Sequence, residues 1–190
     1  MNQKYEFVEG DEITTPSGVT LKRIRALAAT AFTPAVNPGD LGGYIQSESN
    51  LSETGNAWVF GNARVYDNAQ VYDNAQVYDN AWVSGSARVS GDAWVSGDAQ
   101  VSGDAQVSDN GLIFWASKVG TDNGTLTVYN TKNNTLLVTR GCFLGSPAAF
   151  LEKSKQVHDA RTHHEYKLLI EVATSRIEAA RTALPAPEGF

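Results

Sequence analysis

Three groups of side chains in this sequence have types and spacings that can support chemistry or recognition. The first is His158, His163 and His164, with Asp159 and Glu165 beside them. Imidazole and carboxylate are zinc-ligand types. The competing reading places these histidines at helix ends, where an imidazole meets free carbonyls and the negative end of the helix dipole. That reading is preferred, so no metal is assigned to them. Cys142 is the single cysteine, which forbids an internal disulfide and a cysteine-based zinc cluster. No catalytic residue and no cofactor is assigned.

The second group is acidic. Asp67, Asp73, Asp79, Asp92, Asp98, Asp104 and Asp109 recur against only Arg64 and Arg88, leaving five net negative charges in that block. An acidic rod that imitates nucleic acid is one reading. The preferred one makes these aspartates corner residues whose carboxylates bond nearby backbone. Calcium binding is weaker still, because calcium-binding repeats are nonapeptides richer in Gly and Asp.

The third group is aromatic and basic: Trp58, Trp82, Trp94, Tyr66, Tyr72, Tyr78, Arg64 and Arg88. Trp, Tyr and Arg are the residues that concentrate at the centres of protein interfaces. These eight are the candidate binding residues. Two explanations stand side by side. Either terminal segments fold over them, or they form a subunit or partner interface.

A strict six-residue period positions all of the second and third groups. Valine stands at Val59, Val65, Val71, Val77, Val83, Val89, Val95, Val101 and Val107, with alanine two residues before each. Ala-x-Val-x reads as a short strand with Ala and Val on one side. The Gly/Asp–Asn/Asp pair that follows reads as a corner, since these residues tolerate positive φ. Equal corners in one sense close a triangular coil after three units, 18 residues per coil. Successive coils then stack as parallel strands about 4.8 Å apart. The stacking puts Trp58, Gln76 and Trp94 in one outward column. Arg64, Trp82 and Gln100 form the next, and Gln70, Arg88 and Gln106 the third. A second outward slot holds Phe60, Tyr66, Tyr72 and Tyr78, then serines from Ser84 onward. Upstream, Ile45 and Leu51 fall in the alanine phase.

A stack of strands leaves a raw edge at each end, so both flanks are expected to be caps. In residues 4–28, Tyr5, Phe7 and Val8 read as one strand and Val19 to Leu27 as the next, with EGDEITTPSG as the turn between. AVNPGDLGGYIQ reads as a loop feeding Ile45. Downstream, LIFWASKV is an apolar run, and TLTVYN and TLLVTRGCF flank an Asn-rich hairpin turn at 131–134. Ser146-Pro147 reads as a helix start, with Phe150, Leu151, Ser154, Val157 and His158 on one face. A second helix is expected from about His163 to Ala183. Its stripe is Tyr166, Leu169, Ile170, Ala173, Ile177 and Ala180, widened by Leu168 and Val172. A partner subunit or the end of the coil stack can cover the wider stripe. Leu184-Pro185-Ala186-Pro187 is expected to end the order.

Composition narrows the partners. Fifteen Lys and Arg stand against 21 Asp and Glu, a net charge of −6. Without a basic surplus, phosphate neutralisation argues against nucleic acid as a partner. There is no run of 18 apolar residues for a membrane span. The start, MNQKYEFVEGDE, lacks a secretory pattern, so a cytoplasmic location is expected.

The repeat resembles the hexapeptide-repeat, left-handed parallel β-helix family over Gly55 to Asn110. It departs from the family's usual unit, because Ser or an aromatic follows the aliphatic residue and Gly comes one later. The resemblance implies a mainly β, left-handed parallel β-helix, here with an N-terminal β cap and a C-terminal α/β cap. The expected division is residues 1–44, 45–110 and 111–190. Enzymes of that family are trimers with a catalytic histidine on or beside the coils, and the carbonic anhydrase-like branch binds metal with coil histidines at a subunit boundary. Here no repeat position carries His, Cys or Glu. The chain also resembles an uncharacterised class of phage and prophage proteins. The likeness lies in NPGDLGGYIQSESNLSETGNAWVFGNARV, TRGCFLGSPAAFLEKSKQVH and HEYKLL. That implies a mobile-element origin and no agreed activity. The expected function is a non-enzymatic protein that binds a host macromolecule, such as a defence system. It is also expected to self-associate as a dimer or trimer. The alternatives are a self-assembling or virion-associated scaffold, or a trimeric hexapeptide-type enzyme.

Overall fold

The computed structural model describes residues 2–31 and 35–183. Three strands open the chain: β1 (Tyr5–Thr14), β2 (Thr20–Ala26) and β3 (Leu41–Ile45). Nine two-residue strands follow at the six-residue period. They are β4 (Trp58–Val59), β5 (Arg64–Val65), β6 (Gln70–Val71), β7 (Gln76–Val77), β8 (Trp82–Val83), β9 (Arg88–Val89), β10 (Trp94–Val95), β11 (Gln100–Val101) and β12 (Gln106–Val107). They form a parallel β-solenoid of three faces and about four turns. The first face is β3-β5-β8-β11, the second β6-β9-β12 and the third β4-β7-β10. All nine valines and all nine alanines of the repeat are buried. Fully burying a valine contributes about 1.5–3 kcal/mol, so the repeated pair is the main cohesive element of the rod.

The first turn departs from the sequence expectation. Ile45 pairs with Val65 and Leu51 bridges to Val71, each 20 residues away, whereas later layers repeat at 18. Both therefore occupy valine positions, not alanine positions. Two extra residues in the corner between Leu51 and Ala57 reset the phase, and Gly55, at φ 72°, lets that corner pass close over the Asp73 carbonyl.

The N-terminal cap is an antiparallel extension of the first face. β1 pairs with β2 and β2 with β3, which then joins the parallel stack, giving one six-stranded sheet. EGDEIT is strand rather than turn. A register shift between Phe7 and Glu12, with Gly10 at φ 77°, absorbs the irregularity. The actual turn is Thr15–Val19, closed by the Val19 carbonyl accepting from the Thr15 amide. Tyr5 donates its hydroxyl to the Leu51 carbonyl (3.0 Å), and Lys4 Nζ donates to that of Ser52 (2.9 Å). These bonds seal the open end of the first coil.

The other end is closed by a four-stranded antiparallel sheet: β13 (Ile113–Val119), β14 (Gly124–Asn130), β15 (Leu136–Arg140) and β16 (Phe143–Gly145). Its side chains replace the missing next coil. Thr127 Oγ1 accepts from the Gln100 amide (3.1 Å), and Tyr129 Oη from the Ser102 amide (3.2 Å). Asn110 Oδ1 accepts from the Trp94 amide (2.7 Å). A strand edge satisfied this way offers no template for another chain.

Two helices pack on that sheet, α1 (Pro147–Val157) and α2 (Ala160–Ala183). Ser146 caps α1, accepting from the Ala149 amide with Pro147 at the first position. Val157, expected on the buried face of α1, is exposed. The second helix starts three residues before the expected position because Asp159 caps it. The Asp159 carboxylate accepts from the Thr162 amide (2.7 Å), which holds its pKa below the usual range. Tyr166, Ile170, Ala173 and Ile177 are buried, whereas Leu168 and Val172 remain about half exposed at 49%. The inner stripe of α2 thus covers the cap sheet, and the wider stripe faces outward. Leu184–Pro187 lie outside the described residues.

Candidate functional site

The corners explain the acidic series. Asp67, Asp73 and Asp79 adopt φ of 57–59°, and the glycines at the equivalent corners of other coils are likewise left-handed, at 56–69°. Each carboxylate accepts the amide of the glycine one coil further on: Gly85, Gly91 and Gly97, at 3.0–3.2 Å. The following residue builds a second ladder. Asn56 Nδ2 donates to Asn74 Oδ1, and Asn74 Nδ2 to Asp92 Oδ1, both at 3.0 Å. Asp67, Asp73 and Asp79 thus bond backbone as expected, but one coil away, while Asp92 and Asp98 accept from the side chains of Asn74 and Asn80 instead.

The outward columns are as the 18-residue coil requires. Trp58, Gln76 and Trp94 align on the third face, Arg64, Trp82 and Gln100 on the first, and Gln70 and Arg88 on the second. The eight candidate binding residues are consequently shared among three faces and do not converge on one. Tyr72 and Arg88 line a groove on the second face with Glu48 and Glu53. Trp58 is corrected outright. It is 1% exposed and packs edge-on against Tyr5 of the N-terminal cap at 6.3 Å. Of the two explanations for exposed aromatics, coverage by the N-terminal segment holds for Trp58.

Apart from Tyr72, the remaining aromatics lie on or beside the third and first faces and contact one another in pairs. Phe60 and Tyr78 close the third face, stacked at 4.4 Å with rings 6° from parallel. Four residues on, past the corners Gly61–Asn62 and Asp79–Asn80, Arg64 and Trp82 open the first face. The Arg64 guanidinium lies 4.8 Å over the Trp82 ring, a favourable cation–π geometry. Tyr66 meets Trp82 edge-on at 6.4 Å, and Trp94 meets Tyr78 at 5.9 Å. Trp94 is 42% exposed, while Tyr66, Tyr78, Trp82 and Arg64 are half-buried. Burial, aided by the neighbouring Asp79 charge, raises the Tyr78 pKa. Gln76, between Trp58 and Trp94, is 1% exposed. The result is a preorganised aromatic ridge with one cation in it. Phe60 is the member that sequence reasoning left out of the candidate set, although its place in the outward slot was the available signal.

The histidines are not brought together. His163 Nδ1 lies 3.2 Å from Ser154 Oγ. His158 ends α1 and sits edge-on to Tyr166 at 5.4 Å. His164 is exposed. Only His158 lies at a helix C-terminus; His163 and His164 are in the first turns of α2, so the expected dipole role does not apply to them. Among the described residues, no three His, Cys, Asp or Glu side chains are grouped to hold a metal ion. Likewise among the described residues, no helix is long and apolar enough to cross a membrane.

A family model described as the YdcK beta solenoid repeat matches residues 57–73, 69–85, 75–91 and 87–103. Each window opens on a repeat alanine, so the matches are in register with the coil. They lie within the repeat block and leave both caps unmatched. No curated protein matches the chain.

Proposed function

We propose that this chain is a non-enzymatic binding protein of phage or prophage origin, and that its rod engages a host protein. The ridge of Phe60, Arg64, Tyr78, Trp82 and Trp94 is the contact. The observation that carries this reading is the stacking of Arg64 on Trp82 and of Phe60 on Tyr78 at one edge of a rigid rod. Large side chains already locked in one geometry lose little entropy on binding, and interface hot spots are enriched in Trp, Tyr and Arg. Interference with a host defence system is one role such a contact would serve. The C-terminal sheet, whose side chains accept from the amides of the last coil, counts against end-to-end strand stacking at that end. Self-association as a dimer or trimer belongs to the same proposal, with the exposed Leu168 and Val172 as its apolar contact.

The test is affinity capture from bacterial lysate, with the wild type and a Trp82→Ala/Trp94→Ala pair run side by side. A host protein retained near equal stoichiometry by the wild type and lost by the variant is expected. Retention of the same proteins by both overturns the reading. Native mass measured on the same two samples tests self-association.

A further inference from the structure

We propose that the C-terminal cap holds a second site, a pocket for a small organic carboxylate with a flat apolar body. A cavity of about 210 Å³ opens between the β15–β16 turn, α1 and the start of α2. Its wall is aromatic. Phe143 meets Phe150 at 5.2 Å and Phe150 meets Tyr166 at 5.1 Å, both edge-to-face. Such a wall favours a planar, apolar ligand body. The volume lies below the 300–1,000 Å³ of drug-sized pockets, which restricts the ligand to about the size of benzoate.

Charge supplies the second half of the argument. Arg140, Lys153 and His158 line the cavity, against the single carboxylate of Asp122. Arg140 is held rigidly: Nε donates to Tyr166 Oη and Nη2 to the Val119 carbonyl, both at 3.1 Å. Lys153 Nζ stands 5.7 Å over the Phe143 ring. Among the described residues, neither cation takes part in an ion pair. A fixed guanidinium and a nearby ammonium beside an aromatic wall match a carboxylate head on an apolar body, with the His158 ring completing the lining. The pocket lies in the C-terminal cap and shares no residue with the rod edge, so this inference stands or falls independently of the proposed function.

Cys142, exposed in the turn at the pocket, is the chain's only cysteine and so reports on this site alone. The experiment follows alkylation of Cys142 by iodoacetamide in the full chain. Titrations use benzoate, benzylamine and inorganic phosphate. Benzoate is expected to slow the reaction saturably, while benzylamine leaves it unchanged and phosphate acts more weakly than benzoate. Loss of one charge-assisted contact in Lys153→Gln is expected to weaken the protection about tenfold. Arg140→Gln should weaken it further. Because Arg140 also supports the cap, the Lys153 variant, on the exposed side of α1, decides the test if the Arg140 variant fails to fold. No protection by benzoate, equal protection by benzylamine or phosphate, or unchanged protection in Lys153→Gln each overturns the proposal.

Discussion

The Asp67 carboxylate accepts the Gly85 amide at 3.1 Å, one full coil further along the chain. Asp73 and Asp79 repeat the arrangement with Gly91 and Gly97. Three consecutive corners, one complete turn of the rod, thus stitch the coil below them through acid side chains in a left-handed backbone conformation. Aspartate adopts that conformation more readily than most non-glycine residues and supplies an acceptor as well.

Asp73→Ala removes this bond and leaves a β-carbon at φ 59° without compensation. A net hydrogen bond is worth about 0.5–1.5 kcal/mol, and alanine tolerates the left-handed conformation somewhat less well than aspartate, so a loss of about 1–2 kcal/mol is expected. Asp73→Gly loses the bond but relieves the backbone, and should cost less. Urea unfolding of both variants checks the order; an alanine variant as stable as the glycine variant contradicts it.

Gly43 tests the junction of the N-terminal cap with the first coil. A β-carbon there would stand 2.5 Å from the Ala63 carbonyl oxygen and 2.7 Å from Val59 Cγ1. Both are rigid neighbours in the core. Gly43→Ala should therefore destabilise by about 1–3 kcal/mol, as overpacking does. Hydrogen exchange should show the loss first in β2 and β3. Gly141, whose β-carbon would meet nothing within 4 Å, is the comparison site for space alone.

Trp58 and Trp94 share one outward column and should respond oppositely. Trp58→Ala empties a buried site and is expected to cost about 3–5 kcal/mol. Trp94→Ala, at a 42% exposed site, should cost under about 1 kcal/mol while weakening partner capture. Thermal unfolding of the two variants distinguishes a structural tryptophan from a recognition tryptophan.

Lys4 gives the fold a pH dependence of known sign. Burial lowers its pKa from 10.5 to about 8. Between those values the unfolded chain binds more protons than the folded one, so the Lys4 contribution to stability rises with pH across that window. Below pH 8 the folded protein carries a desolvated charge. Lys4→Met should gain on the wild type at pH 7, and that advantage should be clearly smaller at pH 9.5 and gone only above about pH 10.5. Denaturant midpoints at the two pH values measure it. Tyr5 and Tyr129 act oppositely above pH 10, since burial raises both phenols.

The rod was readable from the residues because its cause is local. Ala-x-Val-x followed by a Gly/Asp corner has one periodic solution, and the outward columns follow from 18 residues per coil. The helix start at Ser146-Pro147 and the hairpin at 131–134 were legible for the same reason. The first coil was misread because two inserted residues shift Ile45 and Leu51 into valine positions, and only their pairing with Val65 and Val71 reveals it. The start of α2 moved because the Asp159 cap outweighed the helical periodicity.

Recognition depends on which surfaces the caps leave free, and that is a tertiary matter. Composition cannot separate Trp58 from Trp94: the same residue type in the same column is buried in one layer, where Tyr5 lies against it, and exposed in another. Arg140, Lys153 and His158 are spread over 19 positions of sequence and meet only because α1 folds back over the β15–β16 turn. The sequence by itself determined the coil, its inward valines and its acidic corners, since each is settled by a residue and its near neighbours. Which aromatics face solvent, and which cations share a pocket, was decided by the packing of both caps against the rod. Contacts between residues distant in sequence leave no periodic mark on it.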